Sequence, residues 1–509
     1  MFKRLRAPLL AGLLYALTFP LAFRTDNLIP AWMPLVLVWF SWAPLLKDLG
    51  SSPKEAFGRG YAFGVVSNAL ALYWIVVAMK EYGGMSTLLS FSILALMVLT
   101  LALFPAIAAY SIARFVPEQR RIWLASVILA LVEEVKTHVP FGGFPWLSPA
   151  YALNGALALI QALDLFGVFG FNLFIFWTNT VLADAWRNEF NRPRLRRIAR
   201  GFFIGIAVLL SYGWIRTTQL DREIAAIKPV RAALIQGNIA QDQKWSSFSK
   251  REILETYASL SRSAVEKEAV DLVVWPEASL PFVTRNDTSK SPVETDYLPA
   301  KTELIFGAAT SRSSRGKTIY INSAFQSSAD GEILGRYDKQ HLVPFGEYVP
   351  LERWISWLVP AVAGNFSASN QATVLASPHG AFSVLICYEA LFPSLSRAFV
   401  NNGATFLLNI TNDAWFNRTS GPFQHAVFSR FRSIETRRSV LRTANTGVSL
   451  WTDPVGRIFD ATDLFETDIV FANAYPMHGR SLYVLFPWLL PLISLIYLGV
   501  ALYKENRSR

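Results

Sequence analysis

The only cysteine of the 509-residue chain, Cys387, follows the apolar run Phe382-Ser-Val-Leu-Ile386 and precedes Tyr388-Glu389. Two other apolar runs also end in polar groups. Asp271-Leu-Val-Val-Trp275 leads into Pro276-Glu277, and Thr405-Phe-Leu-Leu-Asn-Ile-Thr411 leads into Asn412-Asp413-Ala-Trp-Phe416. Polar residues just past the carboxyl ends of buried strands are where α/β folds build ligand sites. A fourth stretch, Tyr337-Asp-Lys339-Gln-His-Leu-Val-Pro-Phe-Gly-Glu347-Tyr-Val-Pro350, adds a lysine and a glutamate in a Pro/Gly-rich loop. Taken singly, each piece has an ordinary reading. Cys387 reads equally well as a small buried hydrophobe, Asn412-Asp413 reads more readily as a helix cap, and Lys339 and Glu347 read as solvated surface charges. Taken together they make a site. A thiol needs a base to become a good nucleophile, and Glu277 can take that proton. An ammonium such as Lys339 favours the thiolate and then holds the oxyanion of a tetrahedral intermediate. A backbone N–H just after Cys387 supplies a second oxyanion donor. The chemistry is acyl transfer.

Strands and helices must bring these groups together. Short β-branched or aromatic runs bounded by turn residues predict strands at 231–236, 271–275, 303–309, 319–327, 381–387, 404–410 and 447–452. Helical patterns fall at 249–268, 391–402 and 421–439, and the alternation predicts an α/β layered domain over 217–479. The rest differs in kind. With 52% hydrophobic and 17% charged residues, the chain is too apolar for an ordinary soluble protein and too charged to lie wholly in a membrane. Apolar stretches long enough to cross a bilayer number about eight, near 7–23, 28–46, 58–79, 86–113, 121–136, 157–186, 201–216 and 480–503. The domain reading is therefore 1–216 as transmembrane helices, 217–479 as a catalytic domain, and 480–509 as a last helix with a tail. The stretch after Met1-Phe-Lys-Arg-Leu-Arg6 lacks a small-x-small cleavage site, so it reads as a retained helix.

The net charge of +11 could suggest nucleic acid, but its placement gives another explanation. Lysines and arginines gather before the first span, near 47–59, 114–121 and 187–200, and after the last span, whereas alternate loops offer little beyond Arg24, Lys80 and Lys136. This positive-inside pattern puts both termini in the cytoplasm and the 217–479 domain outside it, which in a Gram-negative cell is the periplasm. One cysteine permits no intrachain disulfide and no cysteine-based zinc site, and the five histidines lack an H-E-x-x-H spacing. No metal or cofactor is expected.

Trp275-Pro-Glu277, the Asp338-Lys339 loop and Ile386-Cys387-Tyr388-Glu389 resemble, in order, the three catalytic motifs of the nitrilase superfamily, whose Glu–Lys–Cys triad sits in an αββα sandwich. With spans before and after that domain, the whole chain resembles the apolipoprotein N-acyltransferase family. Lys339-Gln-His-Leu-Val-Pro-Phe-Gly-Glu347, Asn412-Asp-Ala-Trp-Phe416 and Gly143-Phe-Pro-Trp146 are similar to that branch in particular. The resemblance implies a ping-pong reaction. Cys387 would take the sn-1 acyl chain of a membrane phospholipid, typically phosphatidylethanolamine, as a thioester. The α-amine of a diacylglyceryl-cysteine at an apolipoprotein N-terminus would then accept it. Glu277 would be base and acid, Lys339 the oxyanion stabiliser, Glu347 and Glu389 supporting carboxylates, and Trp245 and Tyr388 neighbours of the substrate. The segment with Trp354, Trp357, Leu358, Val359 and Phe366 reads equally as an interfacial lid or as an ordinary packed loop. Two other functions compete. The triad would also serve a membrane-anchored amidase, although a single span would suffice as its anchor. A transporter places ionisable residues near the membrane midplane, whereas Glu133, Glu134, Asp164 and Asp184 fall near predicted span ends.

Overall fold

In the computed structural model, residues 2–19, 32–189, 192–240, 250–296, 298–314, 317–349 and 366–508 are described. Trp245 and the aromatic stretch 354–359 lie outside them. The chain divides into two compact units, one of Met1–Val76, Thr87–Thr218 and Leu485–Arg509, the other of Val77–Ser86 and Gln219–Val484.

The first unit is helical. Among the described residues, Thr87–Phe115, Leu159–Arg187 and Ala199–Ala225 are long and apolar enough to cross a membrane. A fourth span results if Pro53–Ala71 and Trp74–Glu81, bent by 51°, count as one broken helix. The other apolar stretches form shorter or less apolar helices among the described residues. The second apolar stretch forms two short helices, Trp32–Leu37 and Ala43–Lys47. Helix Arg121–Lys136 has 16 residues, about 24 Å at 1.5 Å per residue and so short of a hydrocarbon core of about 30 Å. Buried polar groups lock helices together. Asp164 accepts from Tyr212 OH at 2.7 Å and from Arg216 Nε at 3.0 Å. Asn179 donates to the Val38 carbonyl and accepts from Trp42 N, both at 2.9 Å.

The second unit holds two sheets. The seven-stranded sheet contains β1 (Val230–Gln236), β2 (Leu272–Val274), β3 (Thr284–Arg285), β4 (Glu303–Ser314), β5 (Lys317–Ser327), β6 (Ile333–Asp338) and β12 (Asp468–Ala474). Its order is β12-β1-β2-β4-β5-β6, with β3 beside β4. The five-stranded sheet, ordered β11-β10-β9-β8-β7, is built from β7 (Phe382–Ile386), β8 (Phe406–Thr411), β9 (Val440–Ala444), β10 (Leu450–Thr452) and β11 (Ile458–Phe459). The sheets meet through β1 and β12 against β9 and β10. Helix α1 (Lys250–Lys267) covers the first sheet, and α2 (Pro393–Asn401) and α3 (Gly421–Thr436) cover the second, giving an αββα sandwich. Under α1, Tyr257 stacks on Trp275 at 5.0 Å between ring centres, and Trp275 Nε1 donates to Ser261 Oγ at 2.9 Å. That anchor fixes the strand end that carries Glu277.

The sequence patterns anticipated α1, α2 and α3 closely but missed five strands, β3, β6, β9, β11 and β12. Helix α3 stops at Thr436 because Arg437 takes a left-handed conformation, φ 53°, and the chain turns directly into β9. Strand β9 carries the fully buried Arg442 and so lacks an apolar signature. Strand β12 pairs antiparallel with β1 across more than two hundred residues of chain, a partnership that no local pattern records.

Candidate active site

The second unit brings Glu277, Lys339 and Cys387 into one buried cluster. Glu277 follows β2, and strand β4 runs against its main chain at Gly307. A Cβ there would stand 2.7 Å from Glu277 Cα and 2.6 Å from Ala278 N, so a side chain at position 307 would displace the glutamate. Glu277 Oε1 accepts from Asn322 Nδ2 at 2.8 Å and from Lys339 Nζ at 3.5 Å, and Oε2 accepts from Asn412 N at 2.9 Å. These partners are donors, as a carboxylate requires.

Lys339 lies one residue past β6 and is 1% exposed. Its Nζ donates to Glu347 Oε1 at 2.8 Å, and its backbone N–H to the Asn322 carbonyl at 2.9 Å. Burial alone would draw the lysine pKa down, but Glu347, Glu277 and Cys387 outweigh it and hold the ammonium above its ordinary value. Glu347 also accepts from Asn322 Nδ2 at 3.0 Å and from Val343 N at 2.8 Å. Asn322 therefore spans both carboxylates.

Cys387 opens a short turn directly after β7, half-buried, with φ 52°. Burial pushes its thiol pKa up and Glu277 pushes it further; Lys339 acts against both, Asp413 adds to the rise, and a hydrogen bond with Thr411 lowers it. The thiol thus rests protonated, and a neighbouring base must take its proton for attack.

Glu389 joins the lysine loop to the cysteine turn. Its Oε1 accepts from Tyr337 OH at 2.7 Å and from the backbone N–H groups of Gln340 and His341 at 2.7 and 3.0 Å. Its Oε2 accepts from Ile386 N at 2.8 Å. Burial pushes Glu389 up to about 7 against the pull of Lys339 and these donors. Tyr388 sits beside it, buried, with its ring edge-on to Phe392 at 5.1 Å and near His341 at 6.2 Å. Burial, and then Lys339, lower the His341 pKa to about 4.

Two models of known families divide this chain. The apolipoprotein N-acyltransferase N-terminal domain matches residues 11–181, and the carbon-nitrogen hydrolase domain matches 231–475. Over 95% of this chain and 94% of the other, the sequence is 34% identical to the apolipoprotein N-acyltransferase of Geobacter metallireducens. The chain belongs to the apolipoprotein N-acyltransferase family. The corresponding protein of Rhodopseudomonas palustris is also 34% identical, over 90% of this chain and 87% of its own length. That of Vibrio vulnificus is 28% identical over 100% and 99%. Among solved structures, Saccharomyces cerevisiae Nit3, a member of branch 10 of the nitrilase superfamily, aligns over 49% of this chain and 91% of its own at 19% identity and TM-score 0.38. As a member of an N-acyltransferase family with a carbon-nitrogen hydrolase domain, the chain is an enzyme, and that domain's match encloses every residue of the cluster.

Asn322, His425 and Arg442 escaped the sequence reading, and Asn412-Asp413 acts otherwise than its single-residue reading suggested. Asn412-Asp413 read as a cap, yet no side-chain cap bond forms there; the Asn412 N–H instead holds Glu277. Asp413 is fully buried and accepts from Thr411 Oγ1 at 2.9 Å and from Arg442 Nη2 at 2.5 Å. Burial would raise its pKa, but Arg442 and His425 prevail and hold it down to about 2. His425 Nδ1 lies 2.8 Å from Asp413 Oδ1, and its Nε2 lies 3.1 Å from the Cys387 carbonyl. The available signal was a polar residue inside an apolar strand or helix face, as with Asn322 in Ile321-Asn-Ser-Ala-Phe325 and Arg442 in Val440-Leu-Arg-Thr-Ala444.

Proposed function

We propose that this enzyme moves the sn-1 acyl chain of a membrane phospholipid, phosphatidylethanolamine in the first instance, through a Cys387 thioester to the α-amine of an N-terminal diacylglyceryl-cysteine. The observation that carries this reading is a half-buried thiol in one cluster with a carboxylate that accepts from Asn322 and Asn412 and a buried ammonium, in a chain of this family. Glu277 takes the thiol proton as Sγ attacks the ester carbonyl. Lys339 and the backbone N–H after Cys387 hold the oxyanion. The C–O bond breaks, Glu277 returns the proton to the departing oxygen, and lysophospholipid leaves. In the second half-reaction Glu277 takes a proton from the attacking amine. The C–S bond then breaks and the thiol is restored. Glu347 holds the ammonium, Glu389 holds the lysine loop against the cysteine turn, and Tyr388 and Trp245 stand near the substrate.

The proposed setting is the bacterial inner membrane, with about eight spans, both termini in the cytoplasm and residues 217–479 in the periplasm. Support comes from the distribution of lysine and arginine and from the apolar helices before and after the domain. Donor and acceptor are both held in a bilayer by their acyl chains, so tethering the domain at both ends suits them.

Incubation with a defined phospholipid and a diacylglyceryl-cysteine peptide is expected to give triacylated peptide and lysophospholipid in equal amounts, with little hydrolysis of small amides. Turnover of small amides without phospholipid-dependent acylation would instead identify a membrane-anchored hydrolase.

A further inference from the structure

We propose that His425 is a positioning residue that sets the separation of the Cys387 thiol and the Glu277 carboxylate by holding the two stretches of main chain that carry them. This rests on reading those two residues as nucleophile and base. His425 is 1% exposed on α3, under the ends of β7 and β8, which run parallel with Ile386 opposite Ile410. Cys387 stands one residue past β7 and Asp413 two residues past β8, and the His425 ring reaches both. At the end of β7 the imidazole Nε2 reaches the Cys387 carbonyl at 3.1 Å. The Cys387 carbonyl and the Asp413 carboxylate both only accept, so holding both takes a proton on each ring nitrogen. At the end of β8 the imidazole Nδ1 meets Asp413 Oδ1 at 2.8 Å, with Arg442 Nη2 at 3.2 Å. Asp413 adjoins Asn412, whose N–H donates to Glu277 Oε2 at 2.9 Å. A single ring therefore links the nucleophile's main chain to the loop that aims the base.

The conformation of Cys387 explains why such a link is useful. Its φ of 52° lies in the left-handed region, disfavoured for a residue with a Cβ, and persists only where its surroundings over-determine it. The Ile386 N–H is fixed by Glu389 on one side, at 2.8 Å, and the Cys387 carbonyl by His425 on the other. Releasing the carbonyl lets the turn relax and carries the thiol away from Glu277. Misplacement of reacting groups by about 1 Å slows a reaction by about 10²-fold.

The test compares His425→Gln with His425→Asn in the full-length protein in phospholipid nanodiscs. The longer amide brings its donor to the Nε2 position and keeps the bond to the Cys387 carbonyl. The shorter one reaches the Nδ1 position and keeps only Asp413. Single-turnover acyl-enzyme formation, followed by intact mass, is expected to slow by about 10²-fold in the Asn variant and by less than about 10-fold in the Gln variant. The phospholipid concentration for half-maximal rate should stay within about twofold of wild type in both, and the Asn variant should need a higher pH for iodoacetamide to alkylate Cys387. Equal rates in the two variants, or losses that follow their melting temperatures alone, would overturn the proposal and leave His425 a fold-stabilising residue. Absence of any acyl adduct on wild-type Cys387 would overturn the catalytic reading itself, an outcome separable from the first because it needs no variant.

Discussion

Lys339→Met is expected to slow acyl-enzyme formation by about 10²–10³-fold, the effect of losing one oxyanion donor, and to lower the melting temperature as well. Methionine fills much of the same space but removes the cation that stands 2.8 Å from Glu347 and 3.5 Å from Glu277. At 1% exposure the ammonium has little water to replace it. Breaking a buried pair by removing one partner destabilises by about 3–5 kcal/mol, because the other charge stays buried without compensation. The two effects are separable, since acylation is read by intact mass at a temperature where the variant stays folded and stability by thermal unfolding in detergent. A methionine variant that acylates within about threefold of wild type would remove Lys339 from the chemistry, whatever its melting point.

Glu277→Gln is expected to slow both half-reactions by about 10²–10⁴-fold, the range for losing a general base. Both steps need the same carboxylate, first for the thiol proton and then for the amine proton. The substitution also sets a donor against a donor. Glutamine keeps one oxygen, so its NH₂ must face either Asn322 Nδ2 or Asn412 N, which lie 2.8 and 2.9 Å from the present oxygens. An unsatisfied buried donor costs about 1–3 kcal/mol. Acylation of the resting enzyme and discharge of a preformed acyl-enzyme by peptide are measured separately. Equal slowing of the two supports one shared base, and normal discharge with slow acylation would assign the second proton transfer to another group.

That Glu277 and Cys387 would meet was legible because apolar runs ending abruptly in Glu277, Cys387 and Asn412-Asp413 are visible in a sequence, whereas Lys339 follows β6, whose half-buried residues give no such run. Glu389 and Glu347 were legible only through the family resemblance, since nothing local shows that Glu389 collects the N–H groups of Gln340 and His341 from nearly fifty residues away. Asn322, His425 and Arg442 were not legible. Each is a polar residue within a regular element, and its partners become known only when the strands are paired. Helix continuity within the apolar stretches was likewise not legible. Apolar character persists through Trp32–Leu37 and Ala43–Lys47, yet the helix between them breaks, and hydropathy records composition rather than continuity.

The acyl-enzyme itself is tested most directly by the intact mass of full-length protein incubated with a defined phospholipid, wild type beside Cys387→Ala. The predicted result is one added fatty-acyl mass on the wild type, absent from the variant and lost on addition of a diacylglyceryl-cysteine peptide. Folded wild-type protein that transfers the acyl chain with no adduct at any time, or an adduct that survives in Cys387→Ala, would contradict a thioester on Cys387.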